Sequence, residues 1–321
     1  MKRLGLLIVS LVLLAGAGLM IVPSFLGQAT IEEETPFVVA SGSSLTAVAS
    51  ALEEDGLISS ADGFLLSARI FGSDAPIQAG EFLLTPGMDQ ADVLAAFQNG
   101  EVILRRVTIP EGMPSVLVWE RLMAEDLLTG EIEVPAEGSV LPDTYTFERG
   151  QSRASLVAQM QSAMARYLDE AWQARGETIA VSTPEEALVL ASIVEKETGT
   201  PEERGTIAGL YSNRLRTGMR LQADPTIIYP ITQGKPLGRR IRRSEINAVN
   251  GYNTYAIDGL PEGPITNPGR ESIAAVLNPE AHDYLFMVAD GTGGHEFNAT
   301  NAGHDAARER WYEIRRQRGE M

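Results

Sequence analysis

The sequence predicts an α+β protein in which an N-terminal transmembrane helix precedes a small α/β module and a larger mixed α/β domain. Three observations support this fold class. Residues 4–22 are almost wholly apolar, strand and helix patterns alternate over residues 37–109, and long helical patterns mixed with polar loops occupy residues 110–321. A chain of 321 residues, 44% of them hydrophobic, is long enough for about two domains with cores of their own.

The N-terminal apolar segment predicts an uncleaved membrane anchor. Ser10 is the only polar side chain in residues 4–22, and a helix of that length spans the ~30 Å of hydrocarbon in a bilayer. Two basic residues in the cytoplasmic tip, 1–3, precede it and three glutamates follow it, so the rest of the chain is expected outside the cytoplasm. A cleaved signal peptide is the alternative, although its apolar core is usually shorter. Residues 23–36 are predicted to form a tether.

Composition limits the classes of partner and chemistry. The formal net charge is −17, which argues against binding anionic polymers such as nucleic acid by general electrostatics and leaves a neutral or zwitterionic polymer open. The chain has no cysteine, which excludes disulfides and thiol chemistry. Its three histidines lack close metal-ligand spacing, and no metal or organic cofactor is implied.

The module at 37–109 combines strand and helix signals. FVVA, EFLLT and VILRRVTI read as strands, and a helix capped by Ser43 or Ser44 is predicted between the first two. A second helix is predicted around Phe64, and Asp89 is predicted to cap a third that ends at Asn99-Gly100. The module contains no cluster of titratable residues, so we expect a binding or spacer role.

The domain at 110–321 begins at the proline- and glycine-rich joint IPEGMPS. Residues 116–175 look mostly helical, with a long amphipathic stripe. Thr183 is predicted to cap an apolar helix that runs through ALVLASIVEKET, and a second helix, TIAGLYSNRLRT, is predicted to stop at Gly218. The stretches after it are loop-rich, apart from the buried-strand pattern YLFMVA, and RERWYEIRRQR predicts a solvated C-terminal helix.

Two carboxylates close the apolar helix. Glu195 stacks over Leu188, Ala191 and Ser192 on helical spacing, and small neighbours there leave room for a substrate. A carboxyl group in apolar surroundings has a raised pKa, and it can then hold a proton near neutral pH and donate it. Glu197 points to another face and is assigned to pairing or packing. The alternative is that the helix end emerges into solvent and carries ordinary last-turn charges.

Three polar loops follow the candidate acid. Neutral hydrogen-bonding side chains and aromatic faces fix a ligand in a cleft, and LQADPT and YNTY supply both. Each stretch also has a plain structural reading, an Asp-Pro turn opening a strand for the first and a tyrosine-bearing turn for the second. The candidate substrate-binding residues are Gln222, Asp224, Thr226, Tyr252, Asn253 and Tyr255.

These motifs together resemble the bacterial endolytic murein transglycosylases of the YceG-like family. The resemblance covers nearly the whole chain and is carried by VTIPEG, LPDTYTF, LASIVEKET, LQADPTIIY, YNTY, GLPEGPITNPG and HEFNAT, in that order. It implies a LysM-like module at 37–109, a catalytic domain at 110–321 and a glycan cleft lined by the LQADPT and YNTY residues. The first glutamate of IVEKET is implied to be the catalytic acid, which carries over to Glu195. Asn250-Gly251 and His304-Asp305 depart from the family's usual pairs.

The implied reaction is non-hydrolytic cleavage of the β-1,4 bond between N-acetylmuramic acid and N-acetylglucosamine, with formation of 1,6-anhydro ends. The implied partners are peptidoglycan strands and a membrane-bound peptidoglycan synthase, with the enzyme ending strand elongation from the periplasmic side of the inner membrane. One acid suffices because the nucleophile lies in the substrate, whereas a hydrolase usually needs a second carboxylate. The rival functions are an anchored glycoside hydrolase and a non-enzymatic peptidoglycan-binding scaffold.

Overall fold

The computed structural model describes residues 29–73 and 75–320. The predicted cytoplasmic tip, anchor and first part of the tether lie outside them. Within the described residues, no helix is long and apolar enough to cross a bilayer. The chain divides into two compact units, with residues 147–150 joining those before residue 106 in the first unit. The boundary predicted near residue 109 therefore lies close to residue 106 along the chain. The sequence did not predict that residues 147–150 belong to the first unit.

The first unit is built on a two-stranded antiparallel sheet with three helices. Strand β1 (Thr35–Val39) pairs with β2 (Gly80–Leu84), and Phe37 lies opposite Phe82 in the register. Phe97 places its ring 5.5 Å from that of Phe37 and 5.3 Å from that of Phe82. The helices are α1 (Leu45–Glu54), α2 (Ala61–Phe71) and α3 (Gln90–Asn99). Ser44 and Asp89 cap α1 and α3, which confirms the predicted helix starts.

The described part of the predicted tether belongs to this unit. Ala29 forms a β-bridge with Ile58, and the Thr30 amide donates to the Leu57 carbonyl at 2.9 Å. Ile31 is buried in the core. The prediction of a tether to residue 36 was wrong from residue 29 onward, because one apolar side chain and two backbone contacts are enough to fix this segment.

The second unit corrects the helical prediction for residues 116–175. Helices α4 (Ser115–Met123) and α5 (Arg153–Gln173) flank a strand, β4 (Thr144–Glu148), which pairs with β3 (Leu104–Thr108). Side chains in β4 alternate between exposed and buried, the two-residue period of a strand, and LPDTYTF already carried that alternation. The predicted stripe on α5 is confirmed, with Leu156 and Met160 fully buried.

The core of the second unit surrounds α6 (Pro184–Glu197). Most of its apolar side chains are buried, and it packs against α7 (Arg204–Thr217) and α10 (Arg270–Leu277). The central position predicted for this helix is therefore confirmed. Gly218 ends α7 in the left-handed conformation, at φ 71°, as its sequence position predicts.

The loop-rich prediction for LQADPTIIYP was wrong, because α8 (Pro225–Thr232) begins at its proline. A proline at the first helical position has its φ preset and needs no hydrogen-bond acceptor there. The short helix α9 (Arg243–Ile246) follows it. Strands β5 (Phe286–Ala289) and β6 (His295–Asn298) then form a hairpin whose residues are only partly buried, unlike the buried strand expected of YLFMVA. Helix α11 (Asn301–Gln317) closes the chain as predicted.

Candidate functional site

The candidate site is built at the last turn of α6. Thr183 caps this helix by accepting from the Glu186 amide at 3.2 Å, and the Glu186 carboxylate accepts from the Ser182 amide at 2.6 Å. The helix ends when the Thr198 amide donates to the Val194 carbonyl. A start fixed by these bonds and a buried body hold the last turn in place, and residues 195 and 197 point about 200° apart around it by the 3.6-residue repeat.

Glu195 is held at the start of α10. Its Oε2 atom accepts a hydrogen bond from the Gly269 amide at 3.0 Å and one from the Ser272 hydroxyl at 2.6 Å. A carboxylate at a helix N-terminus is stabilised by the unpaired amides and the helix dipole there. The apolar surroundings predicted for Glu195 are therefore not what the structure shows, since two hydrogen-bond donors contact its carboxyl group.

The space predicted beside Glu195 is filled. Ala191 and Ser192 are both 0% exposed. The Ser192 hydroxyl donates to the Val189 carbonyl at 2.7 Å and accepts from the Ile265 amide at 3.0 Å, which fixes the GPITNPG loop on α6. Small residues at these two positions accommodate a neighbouring loop.

Glu197 has the environment that the sequence predicted for Glu195. Burial and, to a smaller extent, the Asp224 charge raise the pKa of the Glu197 carboxyl to about 8, against the opposing effect of the Arg214 guanidinium. Among the described residues, none forms an ion pair or hydrogen bond with this carboxyl. The predicted role of Glu197 in pairing is therefore not supported, because no described residue forms a bond with this partly buried carboxyl group.

The LQADPT and YNTY segments come together, as the prediction of one cleft requires. The Gln222 amide donates to the Thr254 carbonyl at 3.2 Å, and the Ala223 amide donates to the Thr254 hydroxyl at 3.0 Å. The Tyr255 hydroxyl donates to Asp224 Oδ1 at 2.6 Å. Asp224 and Tyr255 are thus joined on the Glu197 side of α6, and the charges of both carboxylates act on the Tyr255 phenol.

Thr226 and Asn253 hold the two loops together and do not reach the surface. Both are 0% exposed. The Thr226 and Thr254 hydroxyls are 2.8 Å apart, and the Asn253 amide nitrogen donates to the carbonyls of Ile246 and Ala248 at 2.9 and 2.6 Å. Direct substrate contact was the wrong expectation for these two side chains, because every polar group they carry is used inside the protein.

Gln222 and Tyr252 present groups at the surface. Gln222 is exposed, and its φ of 49° places a non-glycine residue in the left-handed region, a conformation that carries strain and is found most often at functional sites. The Tyr252 ring lies 4.8 Å from that of Tyr229. Asn250 stabilises the turn before YNTY by accepting from the amides of residues 252 and 253, so this departure from the family pattern has a structural role.

Sequence reasoning missed two buried polar residues around the site and one partly buried carboxyl group. Arg214 is 7% exposed and donates to the Leu285 carbonyl at 2.7 Å, which places a cation near Glu197. Asn267 bonds the carbonyl of Met113 and the amide of Val140. Burial raises the pKa of Glu137 while Ser115 lowers it by hydrogen bonding. An arginine within the apolar pattern of α7 was a usable signal, whereas nothing in the sequence marks Glu137.

Metal ligation has little support in this part of the chain. No group of three or more His, Asp or Glu side chains converges in the described residues in a way that could hold a metal ion. The nearest approach to such chemistry is a pair, in which His295 Nδ1 lies 2.8 Å from Glu203 Oε2. The polar groups of the site are therefore carboxyls, phenols, amides and a guanidinium.

Comparison with known proteins identifies the family of this chain. The YceG-like family model matches residues 37–310, which is most of the chain. The protein belongs to the YceG-like family. That match covers both units of the structure and every candidate residue named above.

Individual relatives of this YceG-like protein agree in their names. A protein of Bacillus subtilis named endolytic murein transglycosylase is 27% identical over 305 residues, covering 85% of this chain and 83% of the relative. One of the same name from Streptococcus pneumoniae serotype 2 is 29% identical over 309 residues, and only 55% of its length is covered. A crystal structure described as a yceG-like protein from Listeria monocytogenes, 26% identical, aligns with a TM-score of 0.53 over 86% of this chain and 99% of its own.

Proposed function

We propose that this protein is an endolytic lytic transglycosylase that cleaves the β-1,4 bond between N-acetylmuramic acid and N-acetylglucosamine in peptidoglycan and leaves 1,6-anhydro ends. Family membership and relatives named endolytic murein transglycosylase support an enzyme acting on peptidoglycan. The observation that carries the mechanism is the Glu197 carboxyl, whose pKa is raised to about 8 by burial beside the paired Asp224 and Tyr255.

Glu197 is the general acid in this proposal. With a pKa near 8 the carboxyl holds its proton at neutral pH, and it donates that proton to the glycosidic oxygen as the bond from the muramyl C1 breaks. The carboxylate then takes the proton from the muramyl 6-hydroxyl, whose oxygen bonds to C1 and closes the anhydro ring. The acid is restored, no water is consumed, and the tethered hydroxyl has the advantage of an intramolecular nucleophile.

Glu195 is the acid that the family resemblance implies, but its geometry suits another task. The Gly269 amide and the Ser272 hydroxyl both donate to Glu195 Oε2, and these two hydrogen bonds fix the orientation of the carboxyl group. Asp224 supports Glu197 because its negative charge disfavours loss of the Glu197 proton. Tyr255 fixes Asp224, and exposed Gln222 and Tyr252 offer hydrogen-bonding groups and a ring face to sugars.

The topology and biological context extend this proposal. The apolar segment 4–22 anchors the protein in the cytoplasmic membrane, with the catalytic unit on the periplasmic side, where peptidoglycan lies. The strand–helix–helix–strand order of residues 35–84 supports a LysM-like module. In this setting the enzyme acts on strands as a membrane-bound synthase extends them, and it ends their elongation. Protease added to intact spheroplasts should then digest the catalytic unit.

Product analysis of purified glycan strands tests the proposed reaction. Wild-type protein should release fragments with anhydro-muramyl ends. Reducing ends would instead identify a glycoside hydrolase, and binding without cleavage would identify a scaffold protein. The Glu197→Gln variant, which keeps the side-chain shape but removes the transferable proton, should bind the strands and release almost nothing. Glu195→Gln is its matched control on the same helical turn.

A further inference from the structure

A pocket in the second unit lies beside the last turn of α6, where Lys196 lines it, and has no role in the mechanism above. It has a volume of about 480 Å³, within the range of pockets that hold small ligands. Most of its wall is apolar, and its lining includes Pro110, Met113, Pro114, Ile228, Leu237 and Ile265. Lys196 and Pro225 also line it, and they directly adjoin Glu197 and Asp224 in the chain, where consecutive Cα atoms are about 3.8 Å apart.

The charged residues of this pocket are two lysines and one glutamate, Glu111, which lies 4.0 Å from the guanidinium of Arg204. The described part of the chain contains two lysines, Lys196 and Lys235, and both line the pocket. Lys235 pairs with Glu120 at 2.5 Å, whereas Lys196 forms no ion pair with a described residue and only approaches the Gly112 carbonyl at 3.4 Å. The Lys196 side chain is exposed. Its ammonium group is therefore available to an anion in the pocket.

The loop that leaves the pocket adds positive charge. Residues 235–243, KPLGRRIRR, hold five basic residues and no acidic one, in a chain whose net charge is −17. Among the four arginines of this loop, only Arg239 forms an ion pair with a described residue, which is Glu245. The four arginines are exposed. A local excess of cations in an otherwise acidic protein attracts anionic ligands to this corner.

A glycan strand without peptides requires neither the apolar wall nor the positive charges for its binding. Uncharged sugars are bound by neutral hydrogen-bonding groups and ring faces, which the Tyr255 side of the site provides. In peptidoglycan the carboxylates and alanine methyl groups are carried mainly by the peptide stem on the muramyl residue. An apolar wall with a free ammonium group at its edge matches a short peptide that presents methyl groups and carboxylates together.

We propose that this pocket binds the peptide stem of the muramyl residue next to the scissile bond, with a stem carboxylate on Lys196 and stem methyl groups on the proline and isoleucine wall. The proposal rests on the proposed function, because it needs a peptidoglycan strand at Glu197. It makes the enzyme selective for strands that carry their peptides over strands from which an amidase has removed them.

The test compares two substrates and three variants of the full-length protein. kcat/KM for release of anhydro ends is measured on peptide-bearing strands and on the same strands after amidase treatment, which leaves only the lactyl carboxylate on each muramyl sugar. Lys196→Met removes the charge and keeps the length of the side chain. Leu237→Asp places a negative charge on the apolar wall. Arg316→Met, on the exposed face of α11, is the control for loss of a surface cation.

The expected result is a change in the ratio of the two kcat/KM values. Wild type should prefer peptide-bearing strands, and this preference should fall about tenfold in both pocket variants, the size expected for loss of one partly exposed charge-assisted hydrogen bond. Arg316→Met should keep the wild-type ratio. The fall should come mainly from KM, since the pocket does not contact the reacting atoms.

Other outcomes overturn the subsite and leave the proposed function standing. These are equal wild-type rates on both substrates, or pocket variants that slow both substrates alike. Retained preference in the variants, together with loss of binding to vesicles of anionic phospholipid, would assign the basic loop to a membrane surface instead. Failure of wild type to release anhydro ends from either substrate would overturn the proposed function itself, which separates the two failures.

Discussion

The two sides of the last turn of α6 present the same functional group in opposite environments. Glu195 faces two hydrogen-bond donors at the start of α10, whereas Glu197 is partly buried near a second carboxylate, Asp224, and has no bonded donor among the described residues. The first environment fixes the orientation of the carboxyl group, and the second raises the pKa of the Glu197 carboxyl, so that its proton is difficult to remove. Two residues of sequence separation therefore divide a structural carboxylate from one suited to proton transfer.

This difference shows why the chain retains charges at the end of an apolar helix. Glu195 ties α6 to α10 and, through the Gly269 amide, fixes the GPITNPG loop that also bonds Ser192 through Ile265. Glu197 uses the rigidity produced in this way, because a catalytic side chain must be held by neighbours that do not move. The presence of Glu195 is thus explained by its hydrogen bonds, and the presence of Glu197 by its proposed role in proton transfer.

The largest expected effect follows from Glu197→Gln. General acid–base catalysis contributes typically 10²–10⁴-fold, so release of anhydro ends should fall by at least ~100-fold. KM should change little, because glutamine keeps the shape of the side chain. Steady-state kinetics on soluble glycan strands measures both values, and thermal melts confirm folding. Wild-type activity in this variant would remove Glu197 from the mechanism.

A smaller and different effect is expected from Glu195→Gln. Glutamine retains one acceptor oxygen but loses the charge that strengthens both hydrogen bonds, so the free energy of unfolding should fall by about 1–3 kcal/mol. Activity well below the melting temperature should fall by less than about tenfold. Glu296→Gln, at an exposed ion pair with Arg310, serves as the stability control. If Glu195→Gln is inactive and fully stable, the resemblance-based assignment of Glu195 is right.

The pH profile sharpens the comparison further. Asp224 raises the pKa of Glu197, so Asp224→Asn should lower it and move the alkaline limb of kcat/KM toward lower pH. The activity ratio of variant to wild type should be about threefold lower at pH 8 than at pH 6. Tyr255→Phe retains the Asp224 charge and should not move the limb downward. A limb that stays in place in Asp224→Asn would show that another group controls it.

The dependence of stability on pH tests the raised pKa of Glu197 independently of activity. The Glu197 pKa rises from an ordinary 4.5 to about 8 on folding, so the folded state binds this proton more tightly and wild type loses stability as the pH rises through that interval. Glutamine does not titrate. The Glu197→Gln variant should therefore have the same melting temperature as wild type at pH 4. At pH 9 its melting temperature should be several degrees higher than that of wild type. Equal melting temperatures at both pH values would argue against a buried carboxyl.

Most of the fold was predictable because its local signals are strong. Helix caps at Ser44, Asp89 and Thr183, the stop at Gly218 and the stripe on α5 all predicted the elements that form. The errors lie where tertiary contacts decide the structure. Strand β4 was obscured by the helical patterns on both sides of it, and α8 by the turn preferences of Asp224-Pro225.

The site was predictable as a set of segments, but its side-chain roles were less so. The sequence identified α6, LQADPT and YNTY, and the structure joins the last two through Thr254 and Asp224. Spacing along a helix shows which residues share a face, but it does not show what lies opposite that face. The donors at Gly269 and Ser272, which distinguish Glu195 from Glu197, come from a segment more than 70 residues away along the chain.

Direct titration of the carboxyl groups tests the central claim most closely. In protein labelled with ¹³C at the glutamate side-chain carboxyl, NMR spectra across pH 3–10 should contain one signal that titrates near pH 8. That signal should be absent from Glu197→Gln and present in Glu195→Gln. A signal near pH 8 that persists in Glu197→Gln, or a Glu197 signal that titrates near the ordinary glutamate value, would contradict the account.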